Sequence, residues 1–368
     1  MTFSDRPAQG RRSFLLIAAS AALLAGCATR PLDRPGPNGP RVNRVAVLVP
    51  LSGPDAAVGR ALGNAARLAM ADTGTKAFEL TLFDTAGRGA TVAAQNALAT
   101  NHDLILGPLL SEDVRAVTPL AQRARVPVIA FSNDRDATAR GTYILGFTPS
   151  QAVERVVQEA ARRGSRRFAA IAPAGDYGQR SVQSLAAAVQ QAGGQLVGVE
   201  NYAMPGQARA AVQRLSSRPY DALLIADGPR AAVLAAPAIP ANVRVLGTEL
   251  WASGGAGASQ RLRGAWYAAP TQGQWGQFLQ RYKARYPGQT PPRIASLGYD
   301  AVLLTARGAR SWAPGRRFPL GAIDDREGFA GVDGIFRFRA DNVAQRAFEV
   351  RAVTASGSTL VSPAPTSF

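Results

Sequence analysis

The chain of 368 residues has one cysteine, Cys27, one histidine, His102, and two lysines, Lys76 and Lys283. A lone cysteine excludes a disulfide framework and a CxxC redox pair. One histidine excludes an HExxH site. Its carboxylates are not grouped with ligand spacing, so neither a metal nor a cofactor is expected. There is no GxSxG elbow, and neither the GxGxxG nor the GxxxxGK[ST] phosphate loop occurs. His102 lies in the turn Thr100-Asn101-His102-Asp103 and is read as a solvated turn residue rather than a general base. Asp324-Asp325 has no companion that would complete a glycosidase pair. No catalytic residue is assigned, and the chain is read as one that binds rather than one that catalyses.

The formal charge of +17 is almost wholly arginine. The arginines are scattered, and short pairs such as Arg162-Arg163 and Arg166-Arg167 read as solvated surface. No RRM, KH, zinc-finger or HTH signature accompanies them, so nucleic acid is not an expected partner. Attraction to an anionic envelope surface or an acidic partner is physically reasonable.

The first residues read as an address. Arg11-Arg12 precede an apolar run over 14–25, too short for the roughly 20 residues of a membrane span. Leu24-Ala25-Gly26-Cys27 then resembles a bacterial lipobox, which makes 1–26 a signal peptide and Cys27 the lipidated first residue of the mature chain. The twin arginine resembles a Tat signal, with Sec export left open. Ala28 after the cysteine points by resemblance to the outer membrane of a Gram-negative bacterium. Residues 27–42 hold Pro31, Pro35, Pro37 and Pro40 without helical or strand period and read as an extended tether.

From about Asn43 the pattern alternates. The apolar run 45–51 lacks clean alternation, as expected of a strand buried on both faces of a parallel sheet. Ser52-Gly53-Pro54 ends it, and Asp55 is placed to cap or electrostatically favour an alanine-rich helix. Further strand and helix patterns follow to about residue 163, and a second series runs from 167 to 246. Two such series predict an α/β protein of two doubly wound lobes. Ligands of open α/β sheets bind beyond the carboxyl ends of the strands, at turns that lead into helices. Near the end, helices are expected at 275–286 and 295–308 and a loop at 316–329. Residues 335–339 and 346–353 are expected to form an antiparallel hairpin.

Several segments carry a resemblance. VLVPLSGPDAAVGRALG over 47–63, Leu106-Gly107-Pro108-Leu109-Leu110-Ser111, Val126-Pro127-Val128-Ile129, Gly175-Asp176-Tyr177-Gly178, Tyr220-Asp221-Ala222 and Gly247-Thr248-Glu249 occur in an order similar to type I periplasmic binding proteins, the leucine-binding branch in particular. The resemblance implies two lobes with a cleft between them, 43–147 plus 268–322 and 148–267 plus 323–360. It implies a site for an amino-acid-like ligand: Ser111 with Ser132 and Asn133 for its carboxylate, Tyr177 as an aromatic of the second lobe, and Glu249 for its ammonium. Hydroxyls and free N–H groups at a helix N-terminus suit an anion.

The chain departs from that pattern where amino-acid binders carry rings, having Val58 in one place and Asp227-Gly228-Pro229 in the other. The loss of two aromatic walls weakens the amino-acid reading. The lipobox, the tether, Gly247-Thr248-Glu249-Leu250-Trp251 and the 331–338 stretch look like single-domain penicillin-binding protein activators of the LpoA type. The preferred expectation is therefore a non-enzymatic periplasmic lipoprotein that regulates a peptidoglycan synthase. The alternative is the substrate-binding component of an ABC transporter, with a permease as partner.

Overall fold

The computed structural model describes residues 1–2 and 42–368. Cys27, the twin arginine and the proline-rich run lie outside the described residues. The first sheet contains β1 (Asn43–Val49), β2 (Phe78–Asp84), β3 (Leu104–Leu106), β4 (Val128–Ala130) and β5 (Thr142–Ile144). Their order is β2-β1-β3-β4-β5, and every pairing is parallel. Helices α1 (Ala56–Thr73), α2 (Ala90–Ala99) and α3 (Ser111–Ala124) cover the two faces. Residues 45–49 of β1 are wholly buried, which explains why that run carries no polar alternation.

The second series supplies α4 (Pro149–Arg162), β6 (Arg167–Pro173), α5 (Asp176–Gln191), β7 (Gln195–Tyr202), α6 (Ala208–Arg214), β8 (Ala222–Ile225), α7 (Pro229–Ala235), β9 (Arg244–Gly247) and β10 (Trp266–Pro270). After α8 (Trp275–Arg285) and α9 (Ser296–Gly308) come three short antiparallel strands, β11 (Phe329–Gly331), β12 (Gly334–Phe338) and β13 (Ala344–Arg346). Then β14 (Phe348–Val353) and β15 (Ser358–Ser362) join the second sheet antiparallel, giving the order β15-β14-β10-β9-β8-β6-β7.

The buried faces of several helices are largely alanine. Ala61, Ala65, Ala66 and Ala69 of α1, Ala93, Ala94 and Ala97 of α2, and Ala231, Ala232 and Ala235 of α7 are all buried. Such small contacts let helix backbones lie close to neighbouring elements, as where a Cβ at Gly298 of α9 would stand 2.3 Å from the Leu62 carbonyl oxygen of α1. Glycine is required where the chain comes closer still. Gly107 has φ +87°, and a Cβ there would stand 2.1 Å from the Leu48 carbonyl oxygen.

The core of the first sheet extends to Phe278, Tyr282, Leu297, Val302, Trp312, Phe329, Phe336 and Phe338. The core of the second holds β6, β8, β9 and β10 together with Phe348, Val350 and Val353. The chain therefore passes between lobes near 147, after Pro270 and at Ala347, whereas the expected division put 323–346 with the second lobe. The reason is aromatic. Phe336 stacks on Phe329 with ring centroids 5.4 Å apart, and Phe338 meets Tyr143 edge-on at 5.2 Å. Such rings must find a core, and the nearest is that of the first lobe.

Three local expectations are corrected or narrowed. The 316–329 loop ends in a strand, β11. The expected hairpin divides at Ala347, its second arm splitting between two sheets. Asp55 stands at the N-cap of α1 without a side-chain capping bond, which leaves the electrostatic one of its two expected roles. His102 is also not a solvated turn residue. It is 4 % exposed, its Nδ1 lies 3.0 Å from the Ala97 carbonyl oxygen, and its ring packs edge-on against Phe83.

Candidate functional site

The parallel strands of both lobes deliver their carboxyl ends to a shared region. From the first lobe, β3 runs through Gly107 into Leu109, Leu110 and Ser111 at the start of α3, and β4 runs into Phe131-Ser132-Asn133. From the second, β9 runs into Thr248 and Glu249. These residues surround a cavity of about 780 Å³ lined by Ser111, Ser132, Asn133 and Glu249, four of the five expected ligand residues. Its apolar wall is Leu109, Leu110, Phe131, Phe147, Trp275 and Ile294. The first turn, Ser52-Gly53, is not in that lining. Its backbone and hydroxyl are tied to Asp84, with the Leu51 N–H donating at 2.8 Å and the Ser52 hydroxyl at 2.7 Å.

Glu249 is half-buried, and its two oxygens differ. Oε1 accepts the Tyr177 hydroxyl at 3.0 Å, while Oε2 is shielded from solvent and has no hydrogen-bond partner. Burial pushes the Glu249 carboxyl up to about 7, against the pull of its hydrogen bonds. Tyr177 does not line the cavity. Its hydroxyl lies 2.9 Å from the Thr248 hydroxyl and fixes Glu249 from behind. Gly247 permits this turn, because a Cβ there would meet the Trp251 ring at 2.3 Å. Trp251 itself is core, 1 % exposed, with its indole N–H donating to the Asp227 carbonyl at 2.8 Å.

The other polar groups are more engaged. Ser132 is buried, and its hydroxyl accepts the Asp134 N–H at 3.1 Å. Ser111 sits in the first turn of α3 beside Glu112 and Asp113, which already complement that helix end. Arg293 reaches the cavity, but its charge is met by Asp333 and its guanidinium stacks over Trp275 at 4.6 Å. Beside the site, Asp134 is buried and pairs with Arg115 of its own lobe and with Arg180 of α5 in the other lobe at 2.9 Å. An adjoining cavity of about 590 Å³ carries arginines and carboxylates from both lobes without an aromatic wall. Among the described residues no group of three His, Cys, Asp or Glu is arranged to hold a metal ion, and no helix is long and apolar enough to cross a membrane.

Phe131, Phe147 and Trp275 were not anticipated as site residues. The first two follow β4 and β5, where ligand-facing residues of such sheets belong, and that placement was the available signal. Trp275 opens the helix expected from residue 275, and nothing in the sequence marked it as a wall of the cavity. Val58 packs on the first core, and Asp227 accepts the Tyr202 hydroxyl at 2.7 Å, so neither position supplies a cavity wall.

Residues 43–358 match the family described as periplasmic binding protein. Two curated relatives match part of the chain. An uncharacterised protein of Rickettsia prowazekii is 26 % identical over 136 residues, 37 % of this chain and 36 % of that protein. Penicillin-binding protein activator LpoA of Photobacterium profundum is 24 % identical over 179 residues, 48 % of this chain and 29 % of that protein. The matches thus span about a third of the length of these relatives. Among solved structures, a protein of Rhodospirillum rubrum provisionally described as a branched-chain amino acid ABC transporter superposes with TM-score 0.76 at 20 % identity, covering 87 % of this chain and 100 % of its own. A solute binding protein of an ABC transporter from R. palustris, in complex with benzoate, superposes with TM-score 0.66 at 18 % identity, covering 88 % and 97 %. Identities this low establish shared fold. With the family match over most of its length, the chain belongs to the periplasmic binding proteins and has their type I fold.

Proposed function

We propose that the protein is a solute receptor of the cell envelope, the binding component of an ABC transporter, and that its cavity takes a small apolar solute bearing an ammonium group. The observation that carries this reading is Glu249, which lines a cavity with three aromatic rings and whose Oε2 is a shielded and unpartnered carboxylate oxygen. A buried acceptor without a donor costs free energy that a ligand ammonium would recover. Phe131, Phe147 and Trp275 offer the apolar body of the solute the contact that the departures at Val58 and Asp227 take away. Ser111 and the Ser132-Asn133 turn would meet its polar end, and Tyr177 would position Glu249. Cys27 would anchor the chain by lipid to the outer membrane, and a permease would be the partner.

A second reading, regulation of a peptidoglycan synthase by a lipoprotein of the activator type, is supported by the 179-residue match to LpoA. Thermal-shift and calorimetric titration with amino acids, aromatic amines, benzoate and peptidoglycan fragments separates the two. A ligand at a hundred times its dissociation constant should add about 2.7 kcal/mol of stability. The receptor reading expects a shift with an amine-bearing solute that Glu249→Gln removes. Silence over the whole panel, together with capture of a peptidoglycan synthase on the purified protein, would replace it with the regulator.

A further inference from the structure

At the opposite end of the second sheet from Glu249, β8, β9 and β10 begin around a separate cavity of about 560 Å³. Arg163, Arg244, Arg261 and Arg263 line it, with Trp266 and Asp221. The guanidinium of Arg244 lies over the Trp266 ring at 4.2 Å and that of Arg163 at 5.1 Å. Trp266 is 6 % exposed, so the indole is a fixed plate and both arginines are held against it.

The charges here are poorly balanced. Arg163 pairs with Glu159 at 2.9 Å, but among the described residues Arg244, Arg261 and Arg263 have no carboxylate partner. Arg261 is spent on the backbone carbonyls of Ile239, Pro240 and Val243. Arg244 and Arg263 each reach a single carbonyl, Gly264 and Gly257, at 3.4 Å. The one carboxylate in the lining, Asp221, is held by the N–H groups of Arg166 and Arg167, each at 2.8 Å. Two guanidiniums thus lie against one ring, the charge of Arg163 acts on Arg244, and among the described residues their remaining N–H donors have no protein acceptor.

We propose that this groove is a second binding site, for a phosphate monoester. The planar fork of arginine matches phosphate oxygens, stacking fixes the fork before the ligand arrives, and an anion relieves the repulsion between Arg163 and Arg244. The volume exceeds that of a lone ion and admits a phosphorylated headgroup. The site is independent of the cleft, so it stands whether or not the receptor reading does.

The test uses the full chain. Inorganic phosphate is titrated by calorimetry, and binding to phosphatidylcholine vesicles is compared with binding to the same vesicles containing phosphatidic acid. That difference cancels any anchoring supplied by the rest of the chain. Phosphate or phosphatidic acid should bind, and the double variant R163Q/R244Q should weaken it by about tenfold or more, as expected for lost charge-assisted hydrogen bonds. The double variant R209Q/R230Q removes the same charge from exposed helix positions elsewhere on the lobe and should leave binding intact. Binding to the vesicles alone identifies a lipid headgroup, and binding to inorganic phosphate a soluble ligand. If R163Q/R244Q fails to fold, R263Q alone should still weaken binding several-fold. Equal weakening by R209Q/R230Q, or no binding of either probe to the unaltered protein, overturns the proposal.

Discussion

At Glu249, the proposed ammonium ligand would compete with a proton for the carboxylate. With its carboxyl pushed up to about 7, the folded protein holds this proton more tightly than the unfolded chain does, whose ordinary value is 4.5. The sign follows: the contribution to stability is present at low pH and is lost as pH rises through about 7. His102 works in the opposite direction. Burial holds it below its ordinary 6.5, so its neutral form costs stability as pH falls below that value. An ammonium ligand needs the carboxylate, so affinity should climb between about pH 6 and 8, approaching tenfold per pH unit on the acid side. Melting curves with and without ligand across this range would check it. Glu249→Gln should flatten the pH dependence of stability near pH 7 and leave the His102 effect in place. Ser111 and Glu249 enter from the sequence only through the resemblance, on Leu106 to Ser111 and on Gly247-Thr248-Glu249. The aromatic wall was not legible, because a phenylalanine after an apolar strand looks the same whether it faces a core or a cavity. The unpartnered Oε2 depends on Tyr177, 72 residues away, occupying the other oxygen.

Among the elements, the βα series could be read almost directly, since strands buried on both faces and alanine-striped helices leave strong periodic marks. The tail was harder. Residues 334–353 alternate as one hairpin would, yet a single residue, Ala347, separates an arm in the small sheet from an arm in the seven-stranded one. Alternation reports that a strand has two faces and says nothing of which partner it pairs with. The three short strands are held to the first lobe by their rings. Phe336, 1 % exposed and in contact with Phe329, Phe338 and the Arg346 guanidinium, carries much of this. Phe336→Ala should cost about 3–5 kcal/mol in urea unfolding. A loss below about 1 kcal/mol would mean that the small sheet is held by something else.

For the whole molecule, the pairing of Asp134 with Arg180 ties one lobe to the other beside the cavity, and a charge pair with a buried carboxylate weighs more than a surface one. In Arg180→Gln, Asp134 keeps Arg115, so the fold should persist while the lobes separate more readily. Small-angle scattering should then show a larger radius of gyration without ligand, and ligand should dissociate several-fold faster. No change in either would show that the pair does not govern opening. No sequence pattern joins residues 134 and 180, because their meeting depends on how the lobes face each other. The alanine-faced helices have a different consequence for how the chain tolerates change. Truncation scanning, which ranks positions by what is lost when a side chain is trimmed, would pass over Ala65, Ala94 or Ala232 as uninformative. Those positions are fully buried, so an added methyl group has to be accommodated inside a packed core. Small buried residues of this kind constrain substitution by crowding, as large ones do by bulk.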